Sequence, residues 1–223
     1  MIRSTQTQEP TLAAAPIGHQ SPCAPDLHWQ QLEVTKGAHA ALKGHRPRVV
    51  WMTGLSGAGK TTIADCLEQR LHAQGVHTCV LDGDNVRHGL CCDLGFSDAE
   101  RVENNRRIAE VARLMVASGL VVIVSFIAPF RAERDAARRL FEPDEFLEVF
   151  VDTPLAVAEA RDPKGLYRKA RAGRLHGMTG LDSPYEAPLA PDVHIDTTAA
   201  SPAVAAQAIV DHLCATGLRD IAG

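Results

Sequence analysis

The chain has 223 residues, enough for one medium α/β domain with a single core and too few for a second full domain. Its 23 Lys and Arg face 27 Asp and Glu, a formal net charge of -4, which excludes a broad basic face for nucleic acid or an anionic membrane and makes any anion site local. The six cysteines (Cys23, Cys66, Cys79, Cys91, Cys92, Cys214) form no CxxC pair and have no metal-ligand spacing. The first residues carry no signal-peptide pattern, and no apolar run reaches the roughly 18 residues of a membrane helix. A soluble, cytoplasmic protein with reduced thiols is expected.

Residues 1–26 are rich in Thr, Gln, Ala and Pro without periodicity, the composition of a disordered tail, so the folded domain is expected over residues 27–223. From Arg48 on, strand-like runs alternate with helical ones: "VVWMT", a helix from Lys60, "TCVLD", a long helix, "LVVIVSF", a helix from Arg131, "FLEVFVD", a helix after Pro154, and "VHIDT" before a last helix from Pro202. This order predicts an α/β fold, a five-stranded parallel sheet wrapped by helices on both faces. The long helix is bounded by the S-x-x-E capping box of Ser97 and Glu100 and by Gly119, which predicts helix over 98–118. Its core face reads Ile108, Val111, Ala112 and Met115, and continuing that stripe backward by helical steps lands on Asn104 and Arg101. Polar groups at the end of a buried stripe point to a cleft, the alternative being a solvated helix start.

Directly after the first strand, "GLSGAGKTT" satisfies G-x-x-x-x-G-K-[ST] with Gly54, Gly59, Lys60 and Thr61. Glycines let backbone N–H groups converge on phosphates with no Cβ in the way. The lysine reaches the β- and γ-phosphates, the threonine hydroxyl holds Mg²⁺, and the following helix N-terminus adds partial positive charge. The motif alone does not name the reaction. No N-K-x-D guanine-reading motif is present, and the small size without a repeat or second ATPase motif favours a small-molecule kinase.

Beyond the loop come "LDGDNVRHGL", "DLGFS", "RVENNRR", "FIAPFRAERD", "FVDTP", "EARDPKGLYRKARAG" and "TGLDSPYEAP", with "VTKGAHAALKGHRP" ahead of the first strand. In this order the motifs closely resemble the adenylylsulfate kinase family over residues 27–198. The resemblance implies a P-loop kinase fold with a mobile lid over 161–180, ATP with Mg²⁺ as donor, adenosine 5′-phosphosulfate (APS) as acceptor and PAPS as product. It further implies a homodimer and a functional partnership with an ATP sulfurylase, for which 223 residues leave no second domain. It puts ATP on Gly54, Ser56, Gly57, Ala58, Gly59, Lys60, Thr61, Thr62 and Arg161, and the metal on Thr61. APS falls on Asp84, Arg87, Phe96, Arg101, Asn104, Ile127, Ala128, Lys164, Gly177 and Met178, and catalysis on Lys60 and Asp84.

The chemistry of these side chains fits those roles. A net-acidic protein has to concentrate charge where a phosphosulfate binds, and Arg87, Arg101 and Lys164 supply it. Asp84 lies just beyond a strand end, where it can accept a hydrogen bond from the attacking hydroxyl or help place Mg²⁺. Without the flanking motifs, Asp82 and Asp84 in "DGDN" read equally well as a turn. His88 beside Arg87 is taken as structural.

Three positions depart from the family pattern. Ala128 stands where many members have serine, Met178 replaces a phenylalanine expected to sandwich the adenine with Phe96, and Cys91 and Cys92 fill a segment that usually begins with Asn, where two buried or half-buried thiols are expected. The alternatives are a kinase for another small hydroxylated metabolite and a non-catalytic nucleotide-binding scaffold; the intact set of Lys60, Thr61, Asp84 and Arg87 disfavours the scaffold.

Overall fold

The computed structural model describes His28 and residues 30–220. The chain divides into two units, Met1–Gln30 and Gln31–Gly223, and the fold concerns the second. The tail expected over 1–26 lies outside the described residues.

Five strands, β1 (Arg48–Thr53), β2 (Thr78–Asp82), β3 (Val121–Ser125), β4 (Phe146–Asp152) and β5 (Val193–Asp196), form one parallel sheet in the order β2-β3-β1-β4-β5. Every residue of β1 is buried because this strand is central and covered on both faces. Its side chains alternate between two cores. Val50 and Met52 pack with Ile63 and Leu67 of α2 (Lys60–Ala73) and Ile209 and Leu213 of α8 (Pro202–Ala215). Val49 and Trp51 pack with Ile108 and Ala112 of α4 (Asp98–Ala117) and Ala137 of α5 (Arg131–Arg138). The expected five-stranded sheet with helices on both faces is the observed one.

Helix α4 starts at the capping box: Ser97 accepts from the Glu100 backbone N–H, and the Glu100 carboxylate accepts from the Ser97 N–H. It ends at Ala117 with Ser118 as its C-cap, one residue short of the expected stop. Ile108 and Ala112 are fully buried, while Val111 and Met115 pack against the same core half-buried. The polar continuation holds as well, since Asn104 is buried and both Asn104 and Arg101 line the main cavity.

Besides α6 (Leu155–Arg161), which follows Pro154 as expected, three short helices carry too few turns to show periodicity: α1 (Lys36–Lys43), α3 (Gly83–Arg87) and α7 (Leu166–Arg171). The "DGDN" stretch forms α3 because the Asp82 side chain accepts from the N–H groups of Asp84 and Asn85, an N-cap that opens a helical turn. Helix α7 has Gly165 as its N-cap, and Asp162 from three residues earlier satisfies its first turn, accepting from Tyr167 N at 3.2 Å and Arg168 N at 3.0 Å. Of the paired cysteines only Cys91 is buried, and Cys92 is exposed, which corrects the expectation of two sheltered thiols: the turn segment 88–93 after α3 packs only the first with Leu81 and Ile108. Among the described residues no helix is long and apolar enough to cross a membrane.

Candidate active site

The strand register delivers the site. Asp82 pairs with Ser125 and Ser125 with Met52, so the C-terminal ends of three neighbouring strands bring Thr53, Asp82 and Ser125 to one edge of the sheet. In parallel α/β sheets ligands bind at that edge.

Backbone shape defines the loop between β1 and α2. Gly54 has φ 152°, and a Cβ there would stand 2.4 Å from the Val151 carbonyl oxygen of β4. Gly57 has φ 75°, with a Cβ at 2.9 Å from the Ala158 carbonyl oxygen of α6. Gly59 caps α2 without a side chain, so the helix N-terminus faces the cavity that Gly59, Lys60 and Thr61 line. The loop is also pinned from above, where the buried Tyr167 donates its hydroxyl to the Ser56 carbonyl at 2.9 Å. Burial, reinforced by Asp162 and Glu159, pushes the Tyr167 phenol up to about 12, so it stays a donor.

Lys60 is buried and donates to the carbonyls of Gly54 at 2.9 Å and Leu55 at 2.8 Å. Burial, and after it the positive charge of Lys164, bring its pKa down to about 7 against the opposing pull of Asp82 and Asp84. Thr61 donates its hydroxyl to Asp82 Oδ2 at 2.8 Å and lies 3.5 Å from Ser125 Oγ. One carboxylate therefore both opens α3 and fixes Thr61. An all-oxygen set of Thr61, Asp82 and Ser125 suits a hard cation such as Mg²⁺, which keeps several waters and few protein ligands. Among the described residues no group of three or more His, Cys, Asp or Glu side chains is arranged to hold a metal ion.

A single cavity of about 810 Å³ runs from this loop to α4, and it is lined by every site residue expected from the sequence except Gly54, whose carbonyl instead holds Lys60. Asp84 sits on the cavity wall in an ion pair with Lys164. Arg87 donates to the carbonyls of Leu94 (3.1 Å) and Gly95 (2.8 Å), and its guanidinium lies 4.5 Å from the centre of the Phe96 ring, which is 62% exposed. Arg101 donates to Phe96 O, Thr179 Oγ1 and Gly177 O. Both arginines reach the cavity, yet each also ties backbone together. Asn104 is buried, and its Oδ1 has no hydrogen-bond partner among the described residues. Met178 lines the cavity with only 5% of its surface exposed, packed in a cluster with Ala158 and Tyr167.

Ala128 is held at φ 42°, a left-handed conformation that a non-glycine residue adopts at a cost of about 1–3 kcal/mol. Its surroundings enforce it. The Thr53 hydroxyl donates to Ile127 O at 2.7 Å and Ala128 O at 3.2 Å, and the buried Arg134 donates to Ala128 O at 2.7 Å while pairing with Glu148 at 2.7 Å. At the far end Arg161 donates to Thr197 Oγ1 at 3.2 Å and to its carbonyl at 3.0 Å, and Thr197 and Pro202 complete the cavity wall. Asp82, Ser125, Arg134, Thr179 and Thr197 are missing from the sequence-derived site. Only Asp82 carried a signal, as a carboxylate at a strand end.

The adenylylsulphate kinase family model matches residues 46–196. An adenylyl-sulfate kinase of Aeromonas salmonicida is 59% identical over 194 residues, covering 87% of this chain and 96% of that protein. A bifunctional CysN/CysC enzyme of Xylella fastidiosa is 56% identical over 207 residues, covering 93% of this chain, which spans 33% of that longer protein. Among solved structures, an APS kinase of Mycobacterium tuberculosis in complex with AMPPNP and APS is 48% identical, with TM-score 0.72 over 75% of this chain and 98% of the other. The P-loop kinase fold is shared with that structure, and with two thirds of its length under the family match the chain belongs to the adenylylsulphate kinase family.

Proposed function

We propose that the chain transfers the γ-phosphoryl group of ATP to the 3′-hydroxyl of APS, yielding PAPS and ADP in sulfate activation. One observation carries the reading: the phosphate loop with Lys60, Asp84, and Arg101 and Asn104 of α4 with Phe96 just before it all line one continuous cavity. Two nucleotides bound end to end there would bring a hydroxyl of one to the terminal phosphate of the other.

In this reading the phosphates of ATP lie on the loop from Gly57 to Thr62, with Arg161 and Thr197 beside the rest of the nucleotide. Thr61, held by Asp82, would bind Mg²⁺, which neutralises phosphate charge when bound. Asp84 accepts the hydrogen bond of the 3′-hydroxyl and so aims its oxygen at phosphorus. A bond forms from that oxygen to the γ-phosphorus as the bond to the β,γ-bridging oxygen breaks, and the hydroxyl proton passes to the Asp84 carboxylate. In a loose transition state this positioning and the Lys60 charge outweigh proton removal. Homodimer assembly and partnership with an ATP sulfurylase, as the source of APS, belong to the same proposal.

The test is coupled ADP release from ATP with and without APS. Release that requires APS supports the proposal; release stimulated equally by another hydroxylated metabolite would favour the alternative kinase, and none with any acceptor the scaffold.

Ala128 has no hydroxyl, and the nearby Ser125 is buried with its Oγ turned to Thr61. Transfer is therefore direct, and γ-labelled ATP supplied alone should leave no stable label on the protein. Label on Ser125 that APS discharges would contradict this.

Lys60 leads to a second expectation. Polyphosphate oxygens favour its charged form, so ATP binding raises its pKa from about 7, and between there and 10.5 the complex takes up a proton. At pH 8.5, calorimetry in buffers of different ionisation enthalpy should show uptake approaching one proton per ATP, falling away near pH 6. Lys60→Met should abolish it. Equal uptake by the variant would assign the proton elsewhere.

A further inference from the structure

Arg101 occupies an unusual position for an anion-binding residue. Its Nε donates to the carbonyl of Phe96 at 2.9 Å, its Nη1 to the hydroxyl of Thr179 and its Nη2 to the carbonyl of Gly177. Gly177 and Thr179 flank Met178, and Phe96 and Met178 line the same cavity, so one guanidinium ties the backbone that carries Phe96 to the segment that carries Met178, the two residues assigned to the adenine. The two segments meet at this group: a Cβ on Gly177 would lie 3.9 Å from both Arg101 Nη2 and Phe96 O. Arg87 braces the Phe96 segment by donating to Gly95 O and lying over the Phe96 ring, while Thr179 is buried. One helical turn along α4, the Oδ1 of Asn104, without a hydrogen-bond partner among the described residues, offers an acceptor to an amino group on a bound base.

We infer that Arg101 is a positioning residue that sets the width of the base slot between Phe96 and Met178, its planar fork joining the two walls. Swinging the side chain onto a phosphosulfate would release both walls at once, so its role is to shape the slot for the base. Lysine cannot replace it, because a point charge cannot bridge three acceptors in a plane. The consequence separates shape from charge: damage to Arg101 weakens any ligand that carries the base, whether or not it carries the anion.

The inference rests on the reading of the cavity as an APS site, and APS-dependent ADP release by the wild-type protein tests that reading separately. With AMPPNP saturating the donor site, APS and adenosine are titrated into wild type, Arg101→Lys and Thr179→Val. Adenosine has the base and lacks the anion. Thr179→Val removes one strut of the bracket, changes no charge and conserves volume, so it keeps the test alive should Arg101→Lys fold poorly. Arg101→Lys is expected to weaken both ligands about tenfold and by similar factors, and Thr179→Val to weaken both about threefold, with the KM for ATP unchanged. Losses confined to APS, or an Arg101→Lys or Thr179→Val variant that binds both ligands as wild type does, would overturn the inference while leaving the proposed reaction standing if wild type turns over.

Discussion

Lys60→Ala is expected to lose at least about a hundredfold in turnover, the effect of deleting a strong electrostatic stabiliser at a phosphoryl-transfer centre. The lysine begins α2 inside the phosphate loop and is buried, and among the described residues its hydrogen bonds go to two loop carbonyls. Burial costs its charge dearly, as the fall from 10.5 to about 7 expresses. That cost also gives the prediction a second arm. A lysine whose folded-state pKa lies below its unfolded value destabilises the fold at pH below about 7, and the penalty fades as pH rises toward 10.5. Lys60→Met, which keeps volume and removes the charge, should therefore match or exceed wild type in Tm at pH 6.5, with the gain shrinking by pH 9. Catalytic loss without stability loss marks a group kept for its charge. Turnover within tenfold of wild type, or a Tm that falls at pH 6.5, would sink this account of Lys60.

The frame of the site was legible because it rests on periodicity and local chemistry. The β1 run is apolar from Val49 to Met52 and buried along its whole length because it is the central strand, and the capping box at Ser97 and Glu100 forms as its spacing predicts. The polar end of the α4 stripe at Asn104 and Arg101 does open on the cavity. What stayed hidden depends on chain crossings that no window of sequence contains. Thr197 reaches the cavity only because β5 pairs with β4, and Arg134 fixes Ala128 through partners as distant as Glu186, whose carbonyl it reaches at 2.7 Å. The charges of Arg87 and Arg101 pointed to an anion, whereas their hydrogen bonds go to loop carbonyls and the Thr179 hydroxyl, a use of arginine that residue type alone does not reveal. Met178 shows the same limit. By resemblance it stands where a phenylalanine is expected to sandwich the adenine with Phe96, yet its burial beside Tyr167 makes it part of a small core as well.

Gly54→Ala should be the most damaging single methyl group in the molecule. At φ 152° the backbone is in a region L side chains avoid, which alone costs about 1–3 kcal/mol. The new Cβ would in addition stand 2.4 Å from the Val151 carbonyl oxygen and 3.3 Å from its carbon. That neighbour is backbone in β4, paired with β1 through Thr53 and Phe150, so relief requires opening the centre of the sheet. A total beyond about 4 kcal/mol corresponds, for a chain of this size, to a fall of roughly 8–16 °C in Tm. Gly59→Ala provides the contrast. Its φ of 98° is also strained, but a Cβ there meets nothing within 4 Å, so only the strain remains. That variant should lose about 1–3 kcal/mol, or roughly 2–12 °C, and still fold. Its methyl group would instead occupy the space at the α2 N-terminus where phosphates are proposed to lie, so ATP binding should suffer out of proportion to stability. Thermal melts and ATP titrations on both variants separate the two mechanisms. If Gly54→Ala melts within about 3 °C of wild type, the loop has freedom that its contact with β4 denies; if Gly59→Ala melts lower than Gly54→Ala, the strain and not the contact governs the loop.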